Sequence, residues 1–437
     1  MRITRLFLWV LPFLPLLWIS PSLQASPPPR TGRSIFEQLT GAQASAESRT
    51  VTPETIPSSG PWVFAEVFSF DLAEYWCENK VAVADFDHDG LKDIALLATT
   101  TYNAEPPWEH VSKVILLRNQ GDWHFSETVV VEYPENHYGY ALRAGDLNND
   151  GWADLVVRES PSTHVLLNDQ SGGFSEVWAG RPGYASLDLA DVNDDSFLDL
   201  LTGTQAYNGG KIEIFLNNGS GTSFTKSWES VLYGGIAGTI RNIFSATLND
   251  DNAPDIVATE IYDGLLATFT GDGTGTSFVE QNVLSLGGRA FGLAVGKVNT
   301  DTLTDIAVYA GHGQARLFLA QSDDSLSAYW QSPDLGEAAF NLGLADFDKD
   351  GFDDLFVGTF RDGALRIYRN RPATDFALAW SGDLAGNGYT GTIADLNDDG
   401  YADLIVGEQD ASRHNTIRIL RNGLALKHRH YLPLIQK

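Results

Sequence analysis

The sequence predicts an all-β protein, a seven-bladed β-propeller of four-stranded antiparallel blades. An acidic nine-residue signature recurs seven times, and successive copies start 61, 45, 56, 50, 49 and 49 residues apart. Short apolar or alternating segments surround each copy, as strands require, and no window shows a sustained helical period. Units of about 50 residues with four strands each are typical of propeller blades.

Each unit offers its four strand segments in the same order. One segment precedes the acidic signature, as in residues 140–145, and a β-rich run follows it, as in residues 155–157. A third segment comes next, as in residues 212–216, and Asn- and Gly-rich turn residues follow it. The fourth segment carries an aromatic pair such as Phe174 and Trp178. This order indicates an antiparallel meander in every blade.

The chain begins with the features of a secretory signal peptide, predicted over residues 1–25. Arg2 and Arg5 supply positive charge, residues 6–19 are apolar, and Ala25 offers a small residue at the cleavage position. The apolar run is shorter than the ~20 residues that a membrane-spanning helix needs. We therefore expect a secreted, extracellular protein with no transmembrane segment.

Residues 26–61 are predicted to be a linker because they are rich in Pro, Ser, Thr and Ala. Residues 62–437 form the predicted propeller. Its first segment, residues 62–70, resembles a fourth blade strand without the three that should precede it, and the seventh unit ends early, soon after Leu420. We predict that this first strand completes the last blade and closes the ring.

Composition excludes several classes of protein. The chain has 57 acidic and 29 basic side chains, a formal net charge of −28, which opposes binding to nucleic acid. Cys77 is the single cysteine, so an intramolecular disulfide and a cysteine-based zinc site are both excluded. The seven acidic signatures contain 25 of the 57 acids. Most of the excess charge is therefore local to these segments.

The acidic signature has the ligand order of a calcium-binding loop. In residues 85–93, side-chain oxygens occupy positions one, three, five and nine, Gly90 occupies position six, and the carbonyl of Leu91 would turn inward from position seven. This order matches an EF-hand-type loop, except that Asp93 replaces the distal Glu. Hard oxygen ligands favour Ca²⁺ over Zn²⁺ or copper, and Mg²⁺ is the weaker candidate. One isolated copy would indicate an ordinary turn, but seven copies in phase favour metal sites.

Five of the seven loops keep all four side-chain oxygens, so we predict five calcium sites. Thr247 and Asn252 replace the first Asp and the Gly in the fourth loop, which weakens it as a site. Lys297 replaces the first Asp in the fifth loop, where its ammonium group would neutralise Asp301 and Asp305 in place of an ion. The predicted ligands are Asp85, Asp87, Asp89, Leu91, Asp93, Asp146, Asn148, Asp150, Trp152, Asp154, Asp191, Asn193, Asp195, Phe197, Asp199, Asp346, Asp348, Asp350, Phe352, Asp354, Asp395, Asn397, Asp399, Tyr401 and Asp403.

Residues 138–157 resemble an FG-GAP repeat, as found in integrin α-subunit propellers, and are similar to the repeats of bacterial VCBS/FG-GAP-repeat proteins. The likeness extends over about residues 62–437. It implies a seven-bladed propeller with calcium in the loops between the first two strands of the blades. The ends of the motif depart from the family pattern, since Tyr138 and Gly139 replace Phe-Gly and residues 158–161 replace Gly-Ala-Pro.

Aromatic residues that follow the repeat are the remaining binding candidates. An aromatic recurs six or seven residues before the loop start, where the innermost strand begins. The rings could form a ligand-binding funnel near the central axis or could pack between blades. The candidate ligand-face residues are Tyr140, Tyr184, Phe291, Phe340 and Tyr389. For a second repeated set, packing is favoured: Trp178, Trp228, Trp330 and Trp380.

The sequence predicts a secreted calcium-binding propeller that acts, as a monomer, as a binding or adhesion module for a protein or glycan ligand. No catalytic residue is predicted, because the nine His are scattered and none lies in a catalytic motif. The alternative is a secreted polysaccharide-acting enzyme, a lyase or hydrolase on a propeller scaffold. Arg, Lys, His and Tyr side chains converging on the face away from the calcium loops would favour that alternative. A purely structural surface protein is a third possibility.

Overall fold

A computed structural model describes residues 58–59, 62–77, 80–101, 110–133, 137–180, 185–235, 238–311, 313–336, 339–372 and 375–424. The predicted signal peptide, nearly all of the predicted linker and the tail after residue 424 lie outside the described residues. Within the described ranges, no helix is long and apolar enough to cross a membrane.

The described chain is built of β-strands. They are β1 (Ser58–Ser59), β2 (Phe64–Ala73), β3 (Val81–Ala84), β4 (Asp93–Thr101), β5 (His110–Asn119), β6 (Phe125–Tyr133), β7 (Gly139–Gly145), β8 (Asp154–Glu159), β9 (Thr163–Asn168), β10 (Phe174–Gly180), β11 (Ser186–Ala190), β12 (Asp199–Gly203), β13 (Ile212–Asn217), β14 (Phe224–Glu229), β15 (Ile240–Ala246), β16 (Asp255–Glu260), β17 (Leu265–Gly271), β18 (Phe278–Ser285), β19 (Ala290–Gly296), β20 (Asp305–Ala310), β21 (Gln314–Ala320), β22 (Leu326–Gln331), β23 (Ala339–Ala345), β24 (Asp354–Thr359), β25 (Ala364–Arg371), β26 (Asp375–Asp383), β27 (Asn387–Ala394), β28 (Asp403–Gln409) and β29 (Asn415–Asn422).

These strands form seven antiparallel sheets, which confirms the predicted seven-bladed propeller. Blades one to six are β3–β6, β7–β10, β11–β14, β15–β18, β19–β22 and β23–β26, each a four-stranded meander. Blade seven is β27–β29 completed by β2 from the beginning of the chain, with Phe64 opposite Asn422. The N-terminal strand therefore closes the ring, as predicted. Strand β1 adds a short fifth strand to blade six, at Ser58 and Ser59.

The first strand of each blade contacts the first strand of the next blade, and β27 contacts β3 in turn. The hydrophobic core lies between adjacent blades, as where Leu97 and Leu116 of blade one meet Leu142 and Val157 of blade two. Second strands are covered on both faces, and every residue of β8, β16, β20 and β24 is buried. Double coverage explains why these segments are continuous apolar runs in the sequence instead of alternating. Cys77 is buried, and its thiol donates to the carbonyl of Lys80 at 3.2 Å.

The repeated Trp residues join neighbouring blades. Trp178 packs on Phe224 of the next blade at 5.0 Å between ring centroids, and Trp380 packs on Phe64 at 4.9 Å. The same relation joins Trp228 to the fourth strand of blade four and Trp330 to that of blade six. Packing is therefore the role of this set, as predicted, since each Trp buries its ring against the outer strand of the following blade.

Candidate metal centres and ligand face

The five intact acidic loops share one backbone conformation with two left-handed residues. Position four has φ between 54° and 62°, and position six has φ between 73° and 92°. Glycine occupies position six in four of the loops, where a residue without Cβ adopts this conformation at little cost. Ser196 adopts it in the third loop at φ 73°. The residues at position four are His88, Asn149, Asp194, Lys349 and Asp398.

The carboxylate at position one wraps the loop around itself. In the first loop, Asp85 Oδ2 accepts the N–H of Gly90 at 3.0 Å, and the same bond is 2.6–2.8 Å long in the other four intact loops. The carboxylate at position five accepts the N–H of position seven in every intact loop, at 2.8–3.2 Å. The position-five acid therefore holds the turn through one oxygen, whereas in four of the five loops the position-one carboxylate also accepts the N–H of position five on its other oxygen, at 3.1–3.3 Å.

Several carboxylate oxygens in these loops are buried without a hydrogen-bond donor. They are Asp85 Oδ1 and Asp87 Oδ1 in the first loop and Asp348 Oδ1 in the sixth. One oxygen each of Asp85, Asp87 and Asp89 lie within 4.8 Å of one another, and Asp346, Asp348 and Asp354 form a second such group. Unpaired buried carboxylates that repel one another are costly, and a bound cation removes both costs. The donor set, all hard oxygen, fits Ca²⁺.

The Asp at position nine has the same structural partners in all seven loops. Asp93 is fully buried, and its carboxylate accepts the N–H of Phe86 at 3.0 Å and that of Asn119 at 2.7 Å. Asp255 and Asp305 do the same in the two degenerate loops, at 2.7–3.2 Å. Burial, opposed by these bonds and reinforced by neighbouring acids, raises the pKa of Asp93 to about 6 and that of Asp354 to about 8. This residue braces the first hairpin of every blade.

An Asn at the end of the third strand latches each intact loop to the preceding blade. Its Nδ2 donates to the position-two carbonyl of the preceding loop at 2.7–3.0 Å, as from Asn217 to Leu147 at 2.8 Å. In four of the five cases it also donates to the position-eight carbonyl of its own loop. Gly271 and Ala320 stand in its place in blades four and five, and they brace the position-nine Asp through their N–H alone. The latch residues are Asn119, Asn168, Asn217, Asn370 and Asn422.

Sequence reasoning missed this Asn because its partner lies in another blade. The sequence does carry a correlation that could have revealed it: an Asn stands at the last or second-last position of the third strand in the five intact units only. Its distance from position nine varies with the length of the second and third strands, which hides the correlation from a search at fixed spacing.

Arginines from the third strands lie against three of the loops. Arg118 Nε is 3.7 Å from Asp87 Oδ2, and Arg421 is 3.1 Å from Asp399 Oδ2. Arg369 bridges Asp348 and Asp350 at 2.6 and 3.0 Å. These side chains neutralise part of the loop charge from the outer side and leave the inner oxygens to another cation.

The two degenerate loops are arranged differently from the intact ones. In the fourth loop, Asn252 is left-handed at φ 64°, and Thr247 exchanges backbone and side-chain hydrogen bonds with Thr304 of the next blade. In the fifth loop, Lys297 is exposed, and its N–H donates to Asp353 Oδ2 of blade six at 2.7 Å. Among the described residues it makes no ion pair with the acids of its own loop, so the predicted internal ammonium is wrong. The side chain leaves the loop because solvation of an ammonium is favoured over burial.

Part of the predicted ligand face is an aromatic chain at the opposite end of the blades from the acidic loops. Tyr140 contacts Tyr138 at 5.0 Å, Trp76 contacts both Tyr138 and Tyr389 at 6.2 Å, and Tyr389 contacts Phe360 at 4.9 Å. Trp76 and Tyr138 were not among the predicted residues.

The other three predicted face residues are placed as follows. Phe291 is half-buried in β19, and its carbonyl accepts a bond from Asn242. Phe340 lies in β23, but its side chain is outside the described part of the chain. Tyr184 lies outside the described residues.

A cluster of titratable side chains lies at the same end of blades one and two. Glu159 is fully buried, and its carboxylate contacts His137 Nδ1 at 2.6 Å and His164 Nε2 at 2.8 Å. His164 Nδ1 is 3.2 Å from Glu176, and the ring of Tyr133 stacks on both imidazoles. Burial lowers the pKa of His164, but its bonds to the two glutamates outweigh burial and raise it.

Two cationic side chains complete this cluster. Arg158 lies over the ring of Tyr140 at 5.8 Å, and Lys80 Nζ lies over the ring of Tyr138 at 4.6 Å. His110 contacts Tyr138 at 5.1 Å, and burial followed by the charge of Lys80 lowers its pKa. Sequence reasoning scored these histidines as scattered, because they come from separate strands and loops that meet only when two blades pack together.

Comparison with known proteins places the second, third, sixth and seventh acidic loops within a described repeat. A model of the FG-GAP-like repeat matches residues 109–157, 146–202 and 346–406. Among curated proteins, mouse integrin alpha-7 is 30% identical over 153 residues, 30% of this chain and 13% of that protein. Integrin alpha-4 of Xenopus laevis is 27% identical over 31% of this chain and 15% of that protein. Chicken (Gallus gallus) integrin alpha-8 is 25% identical over 42% and 20%.

The chain thus aligns with between an eighth and a fifth of the length of these curated relatives. One solved structure, a protein of Agrocybe aegerita described as recognising non-reducing terminal N-acetylglucosamine, is similar with a TM-score of 0.48 and 18% identity. That similarity covers 75% of this chain and 89% of the other. From its repeats and its blades, the chain is an integrin-alpha-like seven-bladed β-propeller with FG-GAP-like repeats.

Proposed function

We propose that this protein is a secreted, calcium-binding β-propeller that acts as a binding or adhesion module for a protein or glycan ligand. The main support for the proposal is that the two ends of the blades carry different groups of side chains. Acidic loops that fit cations occupy one end, and an aromatic surface with polar side chains occupies the other. The similarity to integrin alpha chains supports a ligand-binding role for the scaffold.

Calcium would be held in five loops by the side chains at positions one, three, five and nine and by the carbonyl at position seven. The ion supplies positive charge that draws the carboxylates together, and its role is structural. The loop residues themselves hold the turn through the bonds from positions one and five, and the position-nine Asp ties the turn to the blade. Loops four and five lack the first acid, so the fourth is a weakened site and the fifth would hold no calcium.

The ligand would bind at the end opposite the calcium loops. The half-buried rings of Trp76, Tyr138 and Tyr140 lie there beside the buried Tyr389, and aromatic side chains with polar tips suit both sugars and protein surfaces. Secretion follows from the proposed signal peptide at residues 1–25, and a monomeric state is proposed because the ring closes on itself within one chain.

Two measurements test this proposal. Metal analysis of the purified protein should find about five calcium ions per chain, and two or fewer would contradict the count. Glycan and extracellular-protein arrays should identify a ligand whose binding is lost in Tyr138→Ala, at a half-buried ring of this surface, and kept in Tyr207→Ala, at an exposed tyrosine of blade three. Equal loss in both variants, or no ligand on either array, would contradict the binding role.

A second candidate function is enzymatic, and one observation favours it. The buried Glu159 carboxylate lies 2.6 Å from His137 Nδ1, the position of a carboxylate that orients an imidazole for general acid–base catalysis. Depolymerisation of polysaccharides, measured as new reducing ends or as the ultraviolet absorbance of unsaturated uronate products, would support it. Activity should disappear in His137→Gln and persist in His124→Gln, a histidine in an exposed turn.

A further inference from the structure

The axis of the propeller contains a cavity of about 380 Å³ lined by the first strands of blades two to seven and by Val81 of blade one. This volume is in the range of small-ligand sites and is large enough for one or two sugar rings. Its lining among the described residues includes two arginines, Arg143 and Arg241, and no acidic residue. Two arginines at the axis, one of them paired with Asp188, are unexpected in a chain of net charge −28.

Both arginines break the repeat. Six residues before the loop start, blades two, five, six and seven carry an aromatic residue, whereas blades one, three and four carry Asn79, Ala185 and Arg241. Three residues before the loop start, the other first strands carry small or apolar residues or Thr, whereas blade two carries Arg143 and blade three carries Asp188. Positions that serve packing should be alike in every blade, so these exceptions are not explained by the architecture of the ring.

Arg143 is held in place but keeps donors for a ligand. Its Nε donates to Asp188 Oδ1 at 3.2 Å and an Nη donates to the carbonyl of Leu142 at 3.0 Å. Asp188 is fixed in turn by the N–H of Ser245 at 3.1 Å. A guanidinium has five N–H groups, so three remain, and its side chain is 28% exposed. A guanidinium with a fixed orientation and exposed donors suits a carboxylate.

A polar side chain on the far wall has an unfilled bonding position. Asn341 lines the cavity, is only 2% exposed, and its Oδ1 has no hydrogen-bond partner. A buried acceptor without a donor is costly, and a hydroxyl group of a ligand would satisfy it. Tyr140 stands at the end of the cavity away from the acidic loops and offers a ring face on which a sugar could stack.

From these features we propose that the axial cavity binds an acidic sugar, a hydroxylated carboxylate of the uronate class, with its carboxylate on Arg241 and Arg143 and a hydroxyl donating to Asn341. The inference deepens the proposed binding function and rests on it. A neutral sugar would offer the arginines no carboxylate, and a simple carboxylate such as acetate would leave Asn341 Oδ1 without a donor. The carboxylate could belong to a free sugar acid or to the end of an acidic polysaccharide.

Isothermal titration of the full, calcium-loaded chain with sodium galacturonate, galactose and sodium acetate tests the proposal. Galacturonate should bind with one site per chain, at least about tenfold more tightly than either galactose or acetate. Digalacturonate distinguishes the two sources, because a polymer end should bind more tightly than the free sugar acid. Equal affinity for galactose and galacturonate, or no binding of galacturonate, would overturn the proposal without any variant.

Variants then locate the site. Arg241→Gln should weaken galacturonate at least about tenfold, whereas Arg371→Gln, at an exposed arginine of blade six, should leave it unchanged. Galacturonate could also coordinate calcium in the acidic loops, and Arg241→Gln leaves those loops intact, so unchanged affinity in this variant would refute the axial site. Asn341→Leu should lower the affinity for galacturonate but not for acetate.

The outcomes separate this inference from the proposed function. An array ligand lost in Tyr138→Ala together with no galacturonate binding would refute the axial site and leave the binding module standing. Galacturonate binding that depends on Arg241, with no array ligand, would leave the axial site standing and refute a larger protein or glycan partner.

Discussion

Blades one, two, three, six and seven differ from blades four and five in several features at once. The five intact blades have an Asp at position one, two left-handed residues in the loop and an Asn latch at the end of the third strand. Blades four and five lack the position-one acid and the latch, and of the two only blade four keeps a single left-handed residue, at Asn252. All seven blades keep the position-nine Asp with both of its backbone bonds. The fold therefore needs position nine, whereas the other features belong together to the proposed ion site.

The absent latch in blade four has a steric counterpart. A Cβ at Gly271 would lie 2.3 Å from the carbonyl oxygen of Pro254, so an Asn cannot occupy this position without moving the loop. Loss of the ion site and loss of the latch are therefore linked through the path of the backbone at positions eight and nine.

Removal of calcium should have the largest effect on stability, and it should affect the five intact blades more than blades four and five. Each site contributes about 2.7 kcal/mol of stability when free calcium is a hundredfold above Kd, so EGTA should lower the melting temperature by many degrees. In hydrogen exchange, the acidic loops of the five intact blades should lose protection while residues 247–255 and 297–305 change little. Identical melting with and without EGTA would contradict calcium binding.

Substitution of the position-nine Asp should separate its role in bracing the hairpin from its role in binding calcium. Asp154→Ala and Asp255→Ala each leave two buried N–H groups without an acceptor, and each should cost about 3–5 kcal/mol of unfolding free energy. Only Asp154→Ala should also lower the number of bound calcium ions, measured by metal analysis. A similar loss of calcium in Asp255→Ala would show that loop four binds an ion.

The latch can be tested with two adjacent residues. Asn217→Ala removes bonds to the carbonyls of Leu147 and Leu198 and should cost about 2–3 kcal/mol in urea unfolding. Asn218→Ala, in the exposed turn beside it, should change stability by less than about 0.5 kcal/mol. Equal effects would show that the bonds between blades add nothing to the stability of the ring.

The pH dependence of the calcium-free protein follows from the position-nine acids. Burial first, and neighbouring acids after it, raise the pKa of Asp255 to about 6 and that of Asp305 to about 7. An unfolded Asp titrates near ~3.9, so between about pH 4 and 7 the folded chain holds more protons than the unfolded chain. The unfolding free energy should therefore fall as pH rises through this window. A melting temperature in EGTA that rises from pH 5 to pH 8 would contradict the raised pKa values.

Ser196→Gly should have the smallest effect on the unfolding free energy, and it should stabilise the protein instead of destabilising it. Ser196 is the non-glycine residue at position six of an intact loop, at φ 73°. Glycine relieves the left-handed conformation, so we expect about 1 kcal/mol of added stability and tighter calcium binding in the third loop. A destabilised variant would show that the Ser196 side chain contributes to the loop.

The sequence by itself determined the number of blades, the order of strands and the closure of the ring by residues 62–70. Local sequence patterns that repeat about every 50 residues predict these features. Such a repeat can be recognised without knowing which segments contact one another in the folded chain. The acidic loops could also be predicted from the sequence, because all nine positions of a loop are consecutive in the chain.

Only the tertiary structure decided how the blades are joined and what lies at the axis. Asn119 donates to the carbonyl of Leu396, 277 positions away in the sequence, and Glu159 meets His137 and His164 only when blades one and two pack. Arg143 and Arg241 reach one cavity from different blades. Such contacts do not follow the repeat. Each joins two segments that are distant in the sequence and become adjacent only when the ring closes.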